Sequence, residues 1–461
     1  MLKRIFCLAL AVLFALSVAA CGGDKEKGNK KSSGGSSKLT SGRVSEGGVS
    51  SLDVDKELLD TKLAKADYKG QSFVFYYWYE YGDIIDRKIA AFNKKHNAKL
   101  KAQVVSGNFE ENIAKSIAAG SPYDIIANHG QYFPQSIFSD IYEELSGYIE
   151  ENDYFNAEKP DNGGISKIVN DSFSWKNKLY ACGSAKSIYI YLVAYNKLMF
   201  QKAGLEDPYQ LWKDGKWTWD KLVSMGQQVT DIANDTGFLN YTDLSIWYSV
   251  CGLSGITKRG DSYVENLGSQ EIITSTQTYA NLMFGDNPII AAKPGGGAMG
   301  SGRAYIGFST TDAYAVNAEA ASKSSAYGRD ATNYAVVPIP TGLTKNNMYP
   351  GHAAQGYSAA KGAKEPSLPC AYALFESRTE DSDVGSTHQV PAEIRNYVEK
   401  QFAINGFVGA SGLQNSEGKR YRNVIDDVGL KIRAGQDPVS TLASQRSIMT
   451  RMISDSVANA F

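Results

Sequence analysis

The chain has 461 residues, room for two or three domains at roughly 100–200 residues each. Hydrophobic residues at 43% and charged residues at 21% suit a globular chain with a large core. Lys+Arg 48 against Asp+Glu 49 argues against a nucleic-acid binder held by bulk phosphate attraction. Four His and five Cys argue against a multi-metal site or a disulfide-built scaffold, so no cofactor or metal is expected. Tyr, at 28, outnumbers Phe at 18 and Trp at 6, a bias that fits a surface gripping something with both apolar and polar faces.

The N-terminus reads as an address. Lys3 and Arg4 precede an apolar run from Ile5 to Ala20, about sixteen residues, which is short for a spanning helix. It ends in Val18-Ala19-Ala20-Cys21-Gly22-Gly23, which resembles a bacterial lipobox. Residues 1–20 would then be a signal peptide and Cys21 the lipidated first residue of the mature chain. The stretch to about Ser50 is Gly-, Ser- and Lys-rich and too poor in large apolar groups to offset its ordering entropy. A flexible tether over 21–67 is expected, and its first 29 residues or so would reach roughly 30 Å.

The body then alternates periods. Phe73 to Trp78 reads as a strand buried on both faces, and Ile85, Ile89 and Phe92 as a helix. Leu100, Ala102 and Val104 alternate as a strand, Ile113 and Ile117 mark a helix, and Asp124 to Ala127 a third strand. This β-α-β-α-β order implies parallel strands, with ligands beyond their carboxyl ends. The ends are Trp78–Glu80, Ser106–Phe109 and Asn128–Gln131. Trp78, Tyr79 and Glu80 therefore supply a flat face and polar groups where a ligand belongs. A second α/β region begins near Ser187, with a strand over Tyr189–Tyr195. Asn196 caps a helix that Gly204 stops, and Thr218 caps another. Strands follow at Ala304–Gly307, Tyr334–Ile339 and Ala354–Ala359, and helices at Ser367–Phe375, Tyr421–Arg433 and Val439–Val457. Cys182, Cys251 and Cys370 sit in apolar or small-residue surroundings and read as buried thiols, with one disulfide plus a spare as the alternative.

Four blocks in this order resemble the family 1 extracellular solute-binding proteins, the maltose-binding-protein-like receptors of ABC importers. They are the signal with Cys21, the opening β-α-β-α-β, the run from Tyr195 to Leu205 followed by Trp217 to Leu222, and Val336 to Gly342 with Gly351 to Tyr357 and Ala363 to Pro366. The chain departs from the pattern at Lys221, where Glu is common, and in the insertion-like stretch 207–216. The resemblance implies an α/β, two-lobed periplasmic-binding-protein-like fold with a hinge and an interlobe ligand cleft. Lobe one would take 68–185 and 355–405, and lobe two 186–354 and 406–461. It also implies cleft positions for Asn128, His129, Trp247, Asp312, Tyr314, His352 and Tyr421.

Enzyme motifs fail on context. Gly295, Gly297 and Gly300 match G-x-G-x-x-G but follow Pro294, far from any chain-opening βαβ unit. Ser358 and Lys361 match S-x-x-K, but Ser358 falls in a strand and no K-T-G follows. Glu110-Glu111 and Asp426-Asp427 read as solvated charge, since adjacent helix carboxylates face apart. The expectation is a non-catalytic, monomeric receptor, lipid-anchored at the extracytoplasmic face of the cell membrane. It would pass a mono- or oligosaccharide to the transmembrane subunits of an ABC permease and bind no nucleic acid. The alternatives are a peptide or polyamine receptor, a surface glycosidase and a glycan-tethering lipoprotein. Replacing Cys21→Ser in a bacterial host is expected to move the protein from the membrane fraction to the soluble extracytoplasmic fraction. A variant still retained by the membrane would show that Cys21 is not the anchor.

Overall fold

The opening periodicities become a parallel three-stranded sheet in a computed structural model. It describes residues 60–77, 83–105, 107–130, 133–156, 163–231, 234–260, 262–291, 299–344, 347–379, 390–408, 413 and 420–458. Strand β1 (Ser72–Tyr77) lies between β2 (Lys99–Val104) and β3 (Ile125–His129), parallel to both. Helices α1 (Asp83–His96) and α2 (Phe109–Ala118) are the crossovers, and the Asn108 side chain caps α2 by accepting from the Glu111 N–H. β1 is buried on both faces, as its composition requires. Phe75 meets Tyr357 and Tyr372 on one side, and Tyr76 stacks on Phe109 and Tyr123 on the other. β2 departs from the expected alternation: Leu100 is its one buried residue, and Ala102 and Val104 are exposed. It is an edge strand with a single neighbour, and among the described residues these two side chains stay exposed.

The chain continues through α3 (Lys167–Ser172) and a small ribbon of β4 (Ser174–Trp175) and β5 (Lys178–Leu179). It then enters β6 (Ile188–Asn196). Asn196 caps α4 (Lys197–Ala203) by accepting from the Met199 N–H, and Gly204 ends it with a left-handed φ of 69° that favours glycine. The insertion-like stretch 207–216 is not a plain loop. Asp207 caps α5 (Pro208–Lys213), whose Pro sits in the first turn where its missing N–H costs nothing. Thr218 caps α6 (Trp219–Val229) as read. Next come β7 (Gly237–Leu239), α7 (Leu244–Val250), the ribbon β8 (Ile256–Arg259) and β9 (Ser262–Glu265), and α8 (Gln270–Phe284). β10 (Ala304–Thr310), α9 (Tyr314–Lys323) and β11 (Tyr334–Pro338) complete this half. β10 and β11 flank β6, both antiparallel to it, and β7 extends the sheet beyond β10.

The two sheets meet through β12 (Tyr349–Ser358), ten residues where the sequence suggested a shorter strand. Its Gly351–Ala354 segment pairs with the start of β6, with a register shift at His352, and Gln355–Ser358 pair with β3. β6 changes partner in turn, from β12 near Ile188–Ile190 to β11 from Leu192 onward. Two strands thus pass between the halves. α10 (Leu368–Arg378) is buried along its length. Its Glu376 accepts from Lys88 at 3.2 Å and from the Ser187 hydroxyl at 3.1 Å, which ties α1 to the segment entering β6. α11 (Ala392–Asn405), β13 (Gly406–Val408), α12 (Tyr421–Arg433) and α13 (Pro438–Ala458) end the chain, α12 at the bounds its periodicity set. Cys182, Cys251 and Cys370 are buried free thiols. Among the described residues no helix is long and apolar enough to cross a membrane.

His96 closes α1 at 2% exposure, with its ring on Phe92 and Nδ1 2.9 Å from the Ala66 carbonyl. Burial lowers its pKa from 6.5 to about 4. The unfolded chain therefore takes up this proton first. Stability is full above pH 6.5 and falls as the pH drops toward 4, by up to about 3 kcal/mol from this group. Urea midpoints measured at pH 7 and 4.5 check this, with His96→Phe expected to flatten the dependence.

Candidate functional site

The carboxyl end of β3, the start of β6, the bulge in β12, the end of β10 and the first turn of α12 converge on one place. His129 is the last residue of β3, 9% exposed, its ring 6.1 Å from that of Tyr189 on β6. The Tyr189 hydroxyl donates to Gln355 at 3.2 Å, and Gln355 lies opposite His129 in the β3–β12 register. Two residues along β6, Tyr191 shares a 2.7 Å hydrogen bond between its hydroxyl and His352 Nδ1, the rings edge to face. The register shift at His352 aims this side chain out of the ladder, a common use of a bulge.

Charge surrounds these rings. The His129 pKa falls to about 4, first through burial and then through His352 and Arg420. That of His352 is lowered by burial and by Arg422, with Asp312 acting the other way. His352 is solvent-exposed yet desolvated by nearby protein, the combination a side chain has in a cleft rather than on a convex surface. Arg422 lies 3.4 Å from Asp426 and 3.8 Å from Asp243. Burial and the Asp426 charge raise the Asp243 pKa. Glu110, half-buried at the start of α2, has its pKa raised by burial and opposed by Arg420. Ordered this way, hydroxyl, imidazole, amide, carboxylate and guanidinium groups offer both donors and acceptors to one guest.

The structure sorts the expected site residues. His129, Asp312 and His352 come together, with Asp312 exposed just beyond β10. Tyr421 is buried at 7% exposure, its hydroxyl accepting from the Gly255 N–H at 2.7 Å, so its ring is part of the core. Asn128 is fully buried, and its amide donates to Ser358 at 3.2 Å, because β3 is buried on both faces. Trp247 is a core residue at 1% exposure. It packs on Trp219 and Tyr279, and its indole N–H reaches the Ser275 hydroxyl at 2.9 Å. Tyr314 packs on Tyr334 at 8% exposure. As placed, these three face the interior rather than a guest. Trp78, Tyr79, Glu80 and Cys21 lie outside the described residues. Glu110, Tyr189, Tyr191, Gln355, Arg420 and Arg422 were missed. Glu110 was read as solvated surface charge, yet it is half-buried and opposite Arg420 because α2 starts at a strand end. The Tyr189–Tyr191 spacing of two, one face of a strand, was the available signal for those rings.

A groove of about 940 Å³ lies next to this cluster, lined from one half by Gly130, Phe133 and Ser174 and from the other by Ser254, Lys258 and Tyr263. Two contacts bridge the halves here. Trp175 stacks on Tyr263 at 5.6 Å and 11°, and the Lys258 ammonium reaches the Asp171 carbonyl at 2.8 Å and that of Ser174. The Tyr421 hydroxyl holds the groove-lining 254–255 segment from behind.

Residues 78–376 match the family described as bacterial extracellular solute-binding protein. The fold is similar to an extracellular solute-binding protein from Staphylococcus aureus in complex with maltose. The TM-score is 0.60 at 14% identity, over 82% of this chain and 96% of that one. It is also similar to an ABC substrate-binding protein from Listeria monocytogenes in complex with cycloalternan (0.55, 17%, 83% and 98%). A third is UgpB from Mycobacterium tuberculosis in complex with glycerophosphocholine (0.56, 12%, 84% and 99%). No curated protein sequence matches the chain. At these identities the likeness fixes the fold and leaves the guest open.

Histidine titration by NMR tests the cluster. His129 is expected to titrate near pH 4, and His352→Ala to move that value upward by removing a like charge. An unchanged His129 would show that the two rings do not face each other.

Proposed function

Because the chain belongs to the bacterial extracellular solute-binding proteins, we propose that it is the non-catalytic receptor of an ABC importer, binding a carbohydrate between its halves for delivery to the permease. The observation that carries the carbohydrate reading is the cluster around Tyr189, Tyr191, His129 and His352. It combines ring faces for the C–H patches of a pyranose with donors and acceptors for its hydroxyls. An unsatisfied hydroxyl costs about 1–3 kcal/mol, so a site with both kinds of polar group favours a polyol over an apolar guest. A polyamine is the second reading, because Arg420 and Arg422 offset only two of the four carboxylates Glu110, Asp243, Asp312 and Asp426, and the screen below separates the two.

Motion between the halves would turn about β6 and β12, and contacts from both sides to the guest would stabilise the closed form. In this reading the lobe boundaries fall near 186 and 355, at β6 and β12. The lipobox-like Cys21 and the tether after it supply the anchor in this reading, with the body outside the cytoplasm as a monomer.

A thermal-shift screen tests the proposal, because a guest bound only by the folded state stabilises it by roughly 2.7 kcal/mol at about a hundredfold excess over Kd. Neutral oligosaccharides such as maltose are expected to raise Tm. Arg422→Ala and Tyr189→Ala are expected to weaken that response at least tenfold in Kd with little change in the unliganded Tm. Shifts with spermidine and none with any neutral sugar would overturn the carbohydrate reading.

A further inference from the structure

The groove between the halves is walled on one side by contacts of the protein with itself. The β4–β5 ribbon belongs to the segment before β6, and the β8–β9 ribbon to the half that follows it. Their meeting has two parts. The Trp175 and Tyr263 rings lie nearly parallel, 11° apart with centroids at 5.6 Å, and both are buried, at 2% and 7% exposure. Beside them the Lys258 ammonium donates to the Asp171 carbonyl at 2.8 Å and to that of Ser174. Both carbonyls lie at the end of α3, the pole of a helix that attracts a cation. Asp171, Ser174, Lys258 and Tyr263 all line the groove, so this bridge is one of its walls.

Neither ribbon is a free arm. The Leu179 carbonyl of β5 accepts from the Leu145 N–H at 2.7 Å, and its N–H donates to the Ser146 hydroxyl at 3.0 Å. On the other side Glu265, the last residue of β9, accepts from Arg446 of α13 at 2.9 Å, and the Asn266 amide donates to the Ser254 carbonyl at 3.2 Å. Each ribbon therefore moves with its own half. A rotation that widens the groove parts the two rings and draws Lys258 off the end of α3, because neither ribbon can follow the other.

We propose that Lys258 and Tyr263 form a latch that closes on Trp175 and the end of α3, setting how much of the unliganded receptor rests closed and how fast a guest enters and leaves. The guest kinetics rest on the function proposed above; the resting position of the halves rests on the bridge alone. A closed, empty protein admits no guest, so entry uses the open fraction and the observed on-rate carries that fraction as a factor. Once the halves have shut on a guest, the same contacts keep it in. Loosening the latch therefore speeds both entry and exit. A side chain that only touches the guest changes its exit alone, and one needed only for folding changes neither rate in the folded protein.

Two variants separate these roles. Lys258→Met keeps the aliphatic stem of a half-buried side chain and removes the ammonium, and Tyr263→Leu removes the stacked ring. Small-angle X-ray scattering of the unliganded full chain is expected to give a larger radius of gyration for each variant than for the unchanged protein. Identical profiles for all three overturn the latch. Stopped-flow mixing with maltose, followed by intrinsic tryptophan fluorescence, is expected to show both rate constants raised, the off-rate by about tenfold. A raised off-rate with an unchanged on-rate would make these residues guest contacts and overturn the latch as well. If Tyr263→Leu does not fold, as judged by circular dichroism, Lys258→Met carries both measurements. Absence of a maltose signal from every protein counts against the carbohydrate reading, and the scattering comparison then decides the latch by itself.

Discussion

The structure depends on two strands that cannot keep one partner. β6 pairs with β12 over its first residues and with β11 thereafter, while β12 leaves β6 for β3 at Gln355. A strand buried on both faces must satisfy every N–H and C=O along its length, since an orphaned group costs as much as a lost hydrogen bond. Changing partners satisfies them and still lets the chain pass from one sheet to the other. The halves are joined by this ladder, by a shared hydrophobic core and by polar contacts, among them the Lys88–Glu376–Ser187 set and the Lys186 contact with the Thr379 carbonyl. One buried hydrophobic cluster runs through both halves along these strands.

The polar cluster follows from that crossing. Parallel strands end with their carboxyl termini pointing the same way, so β3 delivers His129 to the edge where β12 crosses. The bulge in β12 then turns His352 out of the ladder, and antiparallel β6 enters from the opposite direction with Tyr189 and Tyr191 on one face. None of these groups belongs to a motif. Their meeting is a product of topology, which explains why histidines 223 positions apart in the chain influence each other's protonation.

Much of the fold was legible in the sequence because caps and periods act locally. Asn196, Gly204 and Thr218 stop and start helices through bonds to residues three or four away, and the bounds of α12 follow from its own apolar stripe. The site was less legible, for two physical reasons. Aromatic residues serve a core as well as a cleft, and Trp247 and Tyr314 are core. The tyrosine excess has the same explanation. Tyr76, Tyr195, Tyr248, Tyr279, Tyr357 and Tyr372 are buried, and in Tyr195 and Tyr279 the hydroxyl bonds Asp207 and the Thr242 carbonyl. Charge was misread in the opposite sense. Glu110 has an ordinary helix-surface sequence context, and both its partial burial and the opposing Arg420 charge arise only in the fold.

The crossing of two strands has an energetic consequence away from the cluster. Any rotation about β6 and β12 displaces atoms in proportion to their distance from those strands. The ribbons β4–β5 and β8–β9 touch through the Trp175–Tyr263 stack and the Lys258 contacts, so they sense such a rotation directly. An offset aromatic pair contributes about 0.5–1.5 kcal/mol beyond its buried area, and a charge-assisted hydrogen bond to a carbonyl about 1.5–3 kcal/mol. Those sums are the size of the few kcal/mol that separate conformers populated at 0.1–10%. The ribbons therefore belong in any account of which arrangement of the halves prevails without a guest, although neither carries a residue of the polar cluster.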